Sequence, residues 1–492
     1  MQQKVDLLDQ DVSQSHDPSD HRTRLKHREQ YTALIDRLKT IIAPHKHIPA
    51  ELLTEIFHLT LPHGFRVYVL CRFLSPAHKT LPWSFGHICS SWRQVALTDH
   101  RLWNRIRVQV DEFKPFHRQI LETVLLRSGS APLDIEVAAI CSFISMVDIF
   151  LPQAGRISRL GLRTGTGDFS SLAKFSMPGW TLASLTKASL IGSYLEIPDG
   201  GIHIFGDCPL LCKLELRLRS EHQPLSLNAI LGLHIPFSQL TELSLDLHFS
   251  RGTVFCILKD APSLVQCSIT FRGLGVIDNP ALNLVLPHLE NLKLSCYQYE
   301  ILAQMFRHLT LPSLLQIYAD CYSTQPGADA LPSELLALIN RSSCHLTHIA
   351  MEGNLGPIVE RSHRSLVSVG AKVGSVQSES VFLPASTVQR IARRELSLPR
   401  LEELDCMLDL DTFADLKGMV EALWSNGEGN RGATIRKVFR AKCKIASGSG
   451  SREDFDRWEE EMRVLFRRLS INGWVELLDN GDSFVGSESD SE

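Results

Sequence analysis

The sequence has no excess of charge of either sign. Its 492 residues include 51 Lys and Arg against 55 Asp and Glu, which gives a formal net charge of -4. A chain so balanced has no overall positive field to attract nucleic acid and no acidic bias that would keep it unfolded throughout. Two basic stretches, residues 22–28 and 436–444, fit nuclear import or RNA contact, but solvated helices and strands commonly carry such charges. No nucleic-acid partner is predicted.

Cysteine motifs and long apolar segments are also missing. The 12 cysteines include no CxxC pair, and Cys208 with Cys212 is the closest spacing, so neither a zinc site nor a disulfide framework is predicted. The longest apolar run, Val137 to Val147, is too short to span a bilayer, and the first residues contain no apolar signal core. These features predict reduced, mostly buried thiols, no membrane partner, and a soluble protein of the cytoplasm, the nucleus or both.

Catalytic and cofactor motifs are absent as well. Residues 165–167 and 448–450 lack the further glycines and the strand-to-helix context of a phosphate-binding loop. The sequence contains no GxSxG, no HExxH and no lysine-anchored P-loop. His45-Lys46-His47 alternates in direction before a proline, which is typical of a solvated loop rather than a metal site. No catalytic residue, metal or cofactor is predicted, and an enzyme with an unrecognised site is the minor alternative.

The strongest internal pattern is a repeat of the form LxxLxL. Its first positions between residues 157 and 314 lie 24 to 29 residues apart, as the position numbers show, and this period is typical of leucine-rich repeats. Each unit predicts a short strand whose leucines are buried only against neighbouring units. The units are Ile157-Leu160-Leu162, Leu185-Ala188-Leu190, Leu211-Leu214-Leu216, Leu240-Leu243-Leu245, Leu264-Cys267-Ile269, Leu289-Leu292-Leu294, Leu314-Ile317-Ala319, Leu346-Ile349-Met351 and Leu401-Leu404-Cys406.

The repeats depart from a regular solenoid in two ways. The Asn or Cys usual at the ninth position is replaced by Arg219, His248, Arg272 and Tyr297, so no asparagine ladder is predicted. The spacing also widens after Leu314, which leaves room for one degenerate unit near residues 366–369. Several units follow a turn that contains proline. An irregular solenoid is therefore predicted, and a non-repetitive α/β domain rich in leucine is the alternative.

Three short helices are predicted near the N-terminus, where the sequence reads IPAELLTEIF, then ICSSWRQVA, then Leu102-Trp103. Pro49 suits the first position of a helix, and apolar residues recur four apart in the first two segments. Asp99 is placed to cap a short turn that carries Leu102 and Trp103 inward. Any buried helical hairpin shares this periodicity, but the ordered set of motifs is much more specific.

This set of motifs, between about Ile48 and Val110, resembles the F-box and is closest to the F-box-like proteins that mushroom-forming fungi carry in large numbers. The resemblance implies docking to the Skp adaptor, and through it to a cullin, in a cullin-RING ubiquitin ligase. One departure bears on that docking, because the stretch between Leu59 and Leu81 has no counterpart in a compact F-box. The positions that match the family's adaptor-facing or core positions are Ile48, Pro49, Leu52, Ile56, Ile88, Cys89 and Trp92, with Trp103 supporting the third helix.

The predicted fold class is α/β, with an N-terminal three-helix F-box-like module followed by an irregular leucine-rich-repeat solenoid. A first repeat is expected from a strand at 106–110, a helix at 116–127 and a strand at 133–137. A helix over 24–43 is expected to pack on the module, with a coiled-coil arm as the alternative. The predicted boundaries are 1–43 for the tail and amphipathic helix, 44–110 for the F-box-like domain, 111–412 for the solenoid, 413–478 for a capping region and 479–492 for a disordered acidic tail.

The expected function is that of a non-enzymatic substrate receptor, in which the module docks the ligase and the repeats bind an unknown protein substrate. A scaffold of the same fold that is not attached to a ligase is the alternative. Residues between the buried leucines of a strand face outward, and an arginine row suits acidic or phosphorylated segments through bidentate hydrogen bonds. A solvated surface without preference is the competing interpretation. The candidate substrate-binding residues are Arg217, Arg219, His248 and Arg272.

Overall fold

The chain is a mixed α/β protein, as predicted, in a computed structural model with twelve α-helices and a large, mainly parallel set of strands among the described residues. The chain divides into two compact units. The first comprises Met1–Ala138 with Asp148–Ile157, and the second comprises Ala139–Val147 with Ser158–Glu492. The structure describes residues 7, 18–42, 48–62, 64–69, 82–109, 113–138, 146–163, 181–192, 205–218, 230, 232–247, 251–271, 283–321, 330–351, 353–370, 381–410, 413–424, 437–445, 452–469 and 471–477.

The first unit combines short helices with a parallel sheet of three strands. The order of pairing is β1, β2, β3, with Val67 opposite Ile106 and Ile106 opposite Ile135. The strand, helix and strand predicted after residue 105 are all present. In chain order the elements are α1 Pro18–Ile42, α2 Ala50–Thr60, β1 Val67–Val69, a 3-10 helix Trp83–His87, α3 Ser90–Thr98, a 3-10 helix His100–Leu102, β2 Arg105–Gln109, α4 Pro115–Arg127 and β3 Leu133–Ala138.

Aromatic side chains form the core of this unit. Phe57 of α2 stacks on Phe85 with ring centroids 4.3 Å apart and meets Trp92 of α3 at 5.1 Å. Trp103 is almost completely buried, and its Nε1–H donates to the Ala96 carbonyl at 2.7 Å. The guanidinium of Arg127, the last residue of α4, lies 4.6 Å from the Trp103 ring centroid. The helices and the strand-helix-strand segment are therefore packed together around the two tryptophans.

The second unit is built on parallel strands with helices or irregular segments between them. Two short strands, β9 and β11, pair with each other apart from the main sheet. After α5 Val147–Phe150 at the unit boundary, the elements are β4 Ile157–Arg163, β5 Lys187–Gly192, β6 Lys213–Leu218, β7 Glu242–Leu247, α6 Arg251–Lys259, β8 Gln266–Phe271, β9 Leu284–Val285, β10 Asn291–Cys296, α7 Tyr299–His308, β11 Leu309–Thr310, β12 Gln316–Cys321, α8 Ala330–Ser342, β13 His348–Met351, β14 Gly353–Asn354, α9 Gly356–Ser362, β15 Ser368–Gly370, β16 Val381–Leu383, α10 Ala385–Ala392, β17 Glu403–Leu410, α11 Phe413–Trp424, β18 Lys437–Ile445, α12 Arg452–Leu469 and β19 Ile471–Leu477.

The LxxLxL units coincide with the strands of this sheet, in register. Leu214, Leu243 and Cys267 are direct Cα partners on β6, β7 and β8, and the second row two residues later is aligned in the same way. Both rows are buried, as are the first positions of the units, while the residues between them are more exposed. Because side chains alternate across a strand, the apolar residues at the pattern positions of successive strands form continuous buried rows on one face of the sheet.

A β-turn that contains proline precedes several strands. In these turns the residue before proline accepts a hydrogen bond from the N–H three residues later, as in Cys208 to Leu211 at 3.1 Å and Leu311 to Leu314 at 3.2 Å. Proline therefore occupies the second position of a β-turn, where its fixed φ is favourable. The prolines concerned are Pro209, Pro262, Pro287, Pro312 and Pro399.

Backbone hydrogen bonds also connect neighbouring LxxLxL repeats where their strands begin. The Cys212 carbonyl accepts from the N–H groups of Thr241 and Glu242 at 2.9 and 3.0 Å, and the Thr241 carbonyl accepts from the next unit in the same way. Buried backbone groups need such partners, since an unpaired one costs about 1–3 kcal/mol. At the start of these strands, two backbone N–H groups share one carbonyl acceptor of the preceding repeat, so both donors are paired.

The C-terminal elements lie within the region 413–478 that was predicted as a cap. They are α11, β18, α12 and β19, in which β18 pairs with β17 on one side and with β19 on the other. The Trp424 indole donates to the Leu401 carbonyl at 3.1 Å and meets the Phe439 ring at 5.6 Å. The degenerate unit expected near residues 366–369 is β15, paired with β13 and β17. Among the described residues, no helix combines the length and the apolar character that crossing a membrane requires.

Candidate functional site

The first candidate surface is the exposed side of α2, which we call the adaptor surface. The helix is divided lengthwise: Leu53 and Phe57 are fully buried, whereas Leu52 is 56% exposed and Ile56 is half-buried. Leu52 and Ile56 are four residues apart and lie on one side of the helix. Ile88, which precedes α3, is 46% exposed. Exposed leucine and isoleucine are common singly, but these belong to the segments in which the sequence motifs lie.

The other predicted adaptor residues are distributed between surface and core. Pro49 is exposed, Ile48 and Cys89 are half-buried, and Trp103 is buried. Trp92 is half-buried because its ring packs against Phe57. The structure therefore leaves Pro49, Leu52 and Ile88 most available for a partner, while the two tryptophans support the helices from within.

Leu59 was not among the predicted adaptor residues, although it is 82% exposed. It follows Leu52 by seven residues, which is two helical turns, and therefore extends the same side of α2. The spacing of positions 52, 56 and 59 could have indicated it from the sequence.

Polar contacts fix the ends of the helices that carry the adaptor surface. Asp99 accepts a hydrogen bond from the Arg101 N–H at 3.1 Å, which confirms its predicted role as the cap of the following turn. Its other oxygen lies 2.8 Å from His58 Nε2, near the end of α2. This contact holds the end of α2 against the end of α3, so the exposed residues of the two segments have a defined relative position.

The segment between Leu59 and Leu81 contains a strand. β1 pairs with β2 in parallel, and Arg66 just before it forms ion pairs with Asp134, at 3.1 Å, and with Glu136 of β3. The first half of this segment is thus part of the sheet of the first unit. Residues 70–81 lie outside the described residues. The prediction that this stretch affects adaptor docking stays open.

The second candidate surface is the outward face of the sheet from β5 to β12, which we call the sheet face. Arg217 lies on this face and is exposed, but its Nε is 2.6 Å from Glu215 Oε1 on the same strand. The other three predicted substrate-binding residues, Arg219, His248 and Arg272, lie outside the described residues. Their role as an arginine row stays a prediction.

Ion pairs also link neighbouring strands of the sheet face. Lys213 pairs with Glu242 across β6 and β7, and the Ser189 hydroxyl donates to Glu215 at 3.0 Å. These pairs could not be read from one repeat, because they depend on which residues the register places opposite each other. Exposed pairs of this kind add little to stability, but they reduce the charge that a partner would encounter.

The buried thiols have the properties of core residues. Burial raises the pKa of the Cys267 thiol to about 12 and that of Cys344 to about 11. The Sγ atoms of Cys296 and Cys321, on neighbouring strands, are 3.8 Å apart, and the Sγ of Cys296 donates toward the sulfur of Cys321, which raises the pKa of Cys296. Thiols with raised pKa are poor nucleophiles at neutral pH. In the part of the chain that the structure describes, no three His, Cys, Asp or Glu residues converge on a possible metal position.

Comparison with known proteins adds no relative to these observations: the chain matches no protein-family model and no curated protein.

Proposed function

We propose that the protein is the substrate receptor of a Skp-cullin-F-box type ubiquitin ligase in the cytoplasm or nucleus. The F-box-like module would dock the adaptor, and an irregular leucine-rich-repeat solenoid would hold a protein substrate. The protein would perform no chemistry itself; its contribution is to hold the substrate close to the catalytic subunits. The observation that carries the proposal is the division of α2, in which the motif residues Leu53 and Phe57 are buried while Leu52 remains exposed, together with the exposure of Ile88 before α3.

The exposed apolar residues are what an adaptor would bury. Interfaces draw most of their binding energy from a few residues that become fully desolvated. Burying the exposed part of a Leu or Ile side chain contributes about 1 kcal/mol or more. The two side chains together can therefore account for a measurable share of affinity without any contribution from charge.

The test is capture of a purified Skp-type adaptor, with its cullin, by the full-length chain. Leu52→Asp combined with Ile88→Asp should abolish capture, because each change would bury an unpaired charge in the interface. Leu126→Asp is the matched control, since Leu126 of α4 is 81% exposed and carries the same change elsewhere in the first unit. Unchanged capture by a folded Leu52 and Ile88 double variant would refute the docking proposal.

A leucine-rich-repeat scaffold without a ligase is the second candidate. It is favoured by the pairing of β1 with β2, because this makes the short helices and the three-stranded sheet parts of one compact unit. Helices in that position would serve as the N-terminal cap that repeat proteins need. Failure of the wild-type chain to bind a Skp-type adaptor under any condition would favour this candidate.

A further inference from the structure

A shallow groove of about 280 Å³ lies on the sheet face and is lined by residues of strands β5 to β12. Ser244 and Ser268, which are direct partners on β7 and β8, are the smallest outward side chains that line it. The neighbouring positions in the same row carry Glu215 on one side and Lys293 on the other. Because neighbouring strands are about 4.8 Å apart, two adjacent serines produce a depression about the width of one extended peptide segment.

Carboxamide side chains form one wall of the groove. Gln266 and Asn291, which are direct partners on β8 and β10, form this wall, and Gln316 on β12 continues their row just beyond the groove. Each carboxamide offers both a donor and an acceptor without carrying charge. The Oδ1 atom of Asn291 is shielded from solvent and meets no hydrogen-bond donor among the described residues. Asn291 therefore has an acceptor that no described residue satisfies, whereas the Gln316 oxygen accepts from the Tyr318 hydroxyl at 3.4 Å.

The charges of the sheet face balance over the same strands. Its outward positions from β5 to β12 carry four cations and four anions, and two of the cations are engaged in the ion pairs with Glu242 and Glu215 described above. A strongly charged segment would gain as many repulsive as attractive contacts here. The charged residues are Lys187, Lys213, Arg217 and Lys293 against Glu215, Glu242, Asp246 and Asp320.

From this geometry we propose that the groove binds an extended polypeptide segment of uncharged polar residues, recognised by hydrogen bonds to the carboxamide wall. The inference rests on the proposed function insofar as the segment would belong to the protein substrate. Its size supports an anchor of a few side chains, since 280 Å³ is near the lower limit of about 300 Å³ for ligand pockets. The described part of the face thus favours neutral segments over the acidic or phosphorylated ones expected from an arginine row.

A display library of random short peptides, selected against the full-length chain, provides the probe. Selected peptides should be close to neutral and rich in Asn, Gln, Ser and Thr. Measured by fluorescence anisotropy, their affinity should change less than about twofold between low salt and about 0.5 M salt, because hydrogen bonds between neutral groups are not screened. Asn291→Leu, which keeps the size of the side chain but removes its polar atoms, should weaken binding about tenfold.

Ser268→Tyr fills the groove and should abolish peptide binding. Thr270→Tyr is the matched control, because Thr270 is two residues further along β8, faces outward as well, and does not line the groove. Acidic or basic peptides with steep salt dependence would overturn the proposal, and so would a selection yielding no peptide that distinguishes the two variants. If the wild-type chain binds the selected peptides but captures no adaptor, the ligase proposal alone is refuted.

Discussion

Replacing Leu243 by Ala tests whether the second unit holds together repeat by repeat. Leu243 is 2% exposed and lies between Leu214 and Cys267 in the buried row. Truncating a buried leucine to alanine costs about 2–5 kcal/mol, because burial of the side chain is lost and a cavity remains. The neighbours on both sides belong to fixed strands, so the cavity cannot close easily. We take about 3 kcal/mol as the expected loss, in the middle of that range.

Amide hydrogen exchange resolved along the chain is the appropriate assay. In a stack where each repeat contacts only its neighbours, the loss of stability should appear as faster exchange in β6, β7 and β8, and the effect should decrease with distance from Leu243. Since about 1.4 kcal/mol corresponds to a factor of ten, exchange in these strands should accelerate about a hundredfold. Ser244→Ala, the next residue but outward-facing, is the control and should leave exchange nearly unchanged. Equal acceleration in α2, α3 and the whole sheet would refute the repeat-by-repeat reasoning and indicate one cooperative core.

Three further predictions concern stability and pH. Gly129→Ala should lower the thermal unfolding midpoint, because Gly129 has φ +52° and an added Cβ would lie 2.7 Å from the His100 ring. Arg156→Leu should cost about 1–3 kcal/mol in urea unfolding, since the guanidinium donates to the Ala131 and Leu125 carbonyls at 2.8 and 3.2 Å; an unchanged midpoint would contradict this. The pKa of Cys267 is raised by burial from 9.0 to about 12, so its contribution to stability is complete below pH 9 and is lost between pH 9 and 12, as the unfolded thiol ionises first. Cys267→Val should therefore show a smaller decline of unfolding free energy with pH in that interval than the wild type does.

The strands of the second unit that carry the LxxLxL pattern could be predicted because each one carries its own signal. An apolar residue, most often leucine, recurs at three spaced positions, and the turn before several of these strands contains proline, so a weak member such as Leu314-Ile317-Ala319 is identified by its neighbours. The capping role of Asp99 could also be predicted from the sequence, because a capping side chain acts on residues beside it in the chain. Local and repeated interactions leave a pattern in the sequence.

Features that depend on distant residues left no such pattern. β1 has only three residues, Val67–Val69, and becomes a strand through its pairing with β2 almost forty residues later. The same limit applies to the sheet face: Lys213 and Glu242 become a pair only through the register of β6 and β7. Periodicity also indicated that α2 is apolar without showing which apolar residue faces the core: Leu52 and Leu53 are adjacent, but Leu53 is buried and Leu52 is 56% exposed.

The distinction between buried and exposed motif residues determines how variants of the adaptor surface should be interpreted. Trp92→Ala would remove the ring that packs against Phe57, at a cost of about 3–5 kcal/mol. The helices of the first unit pack around this aromatic cluster, so adaptor capture should disappear together with the thermal transition of that unit. Leu52→Asp changes a residue that is already 56% exposed and should remove capture while leaving that transition in place. If the two variants instead lowered the unfolding temperature equally, Leu52 would be a core residue, and the adaptor surface would have to be sought elsewhere on the unit.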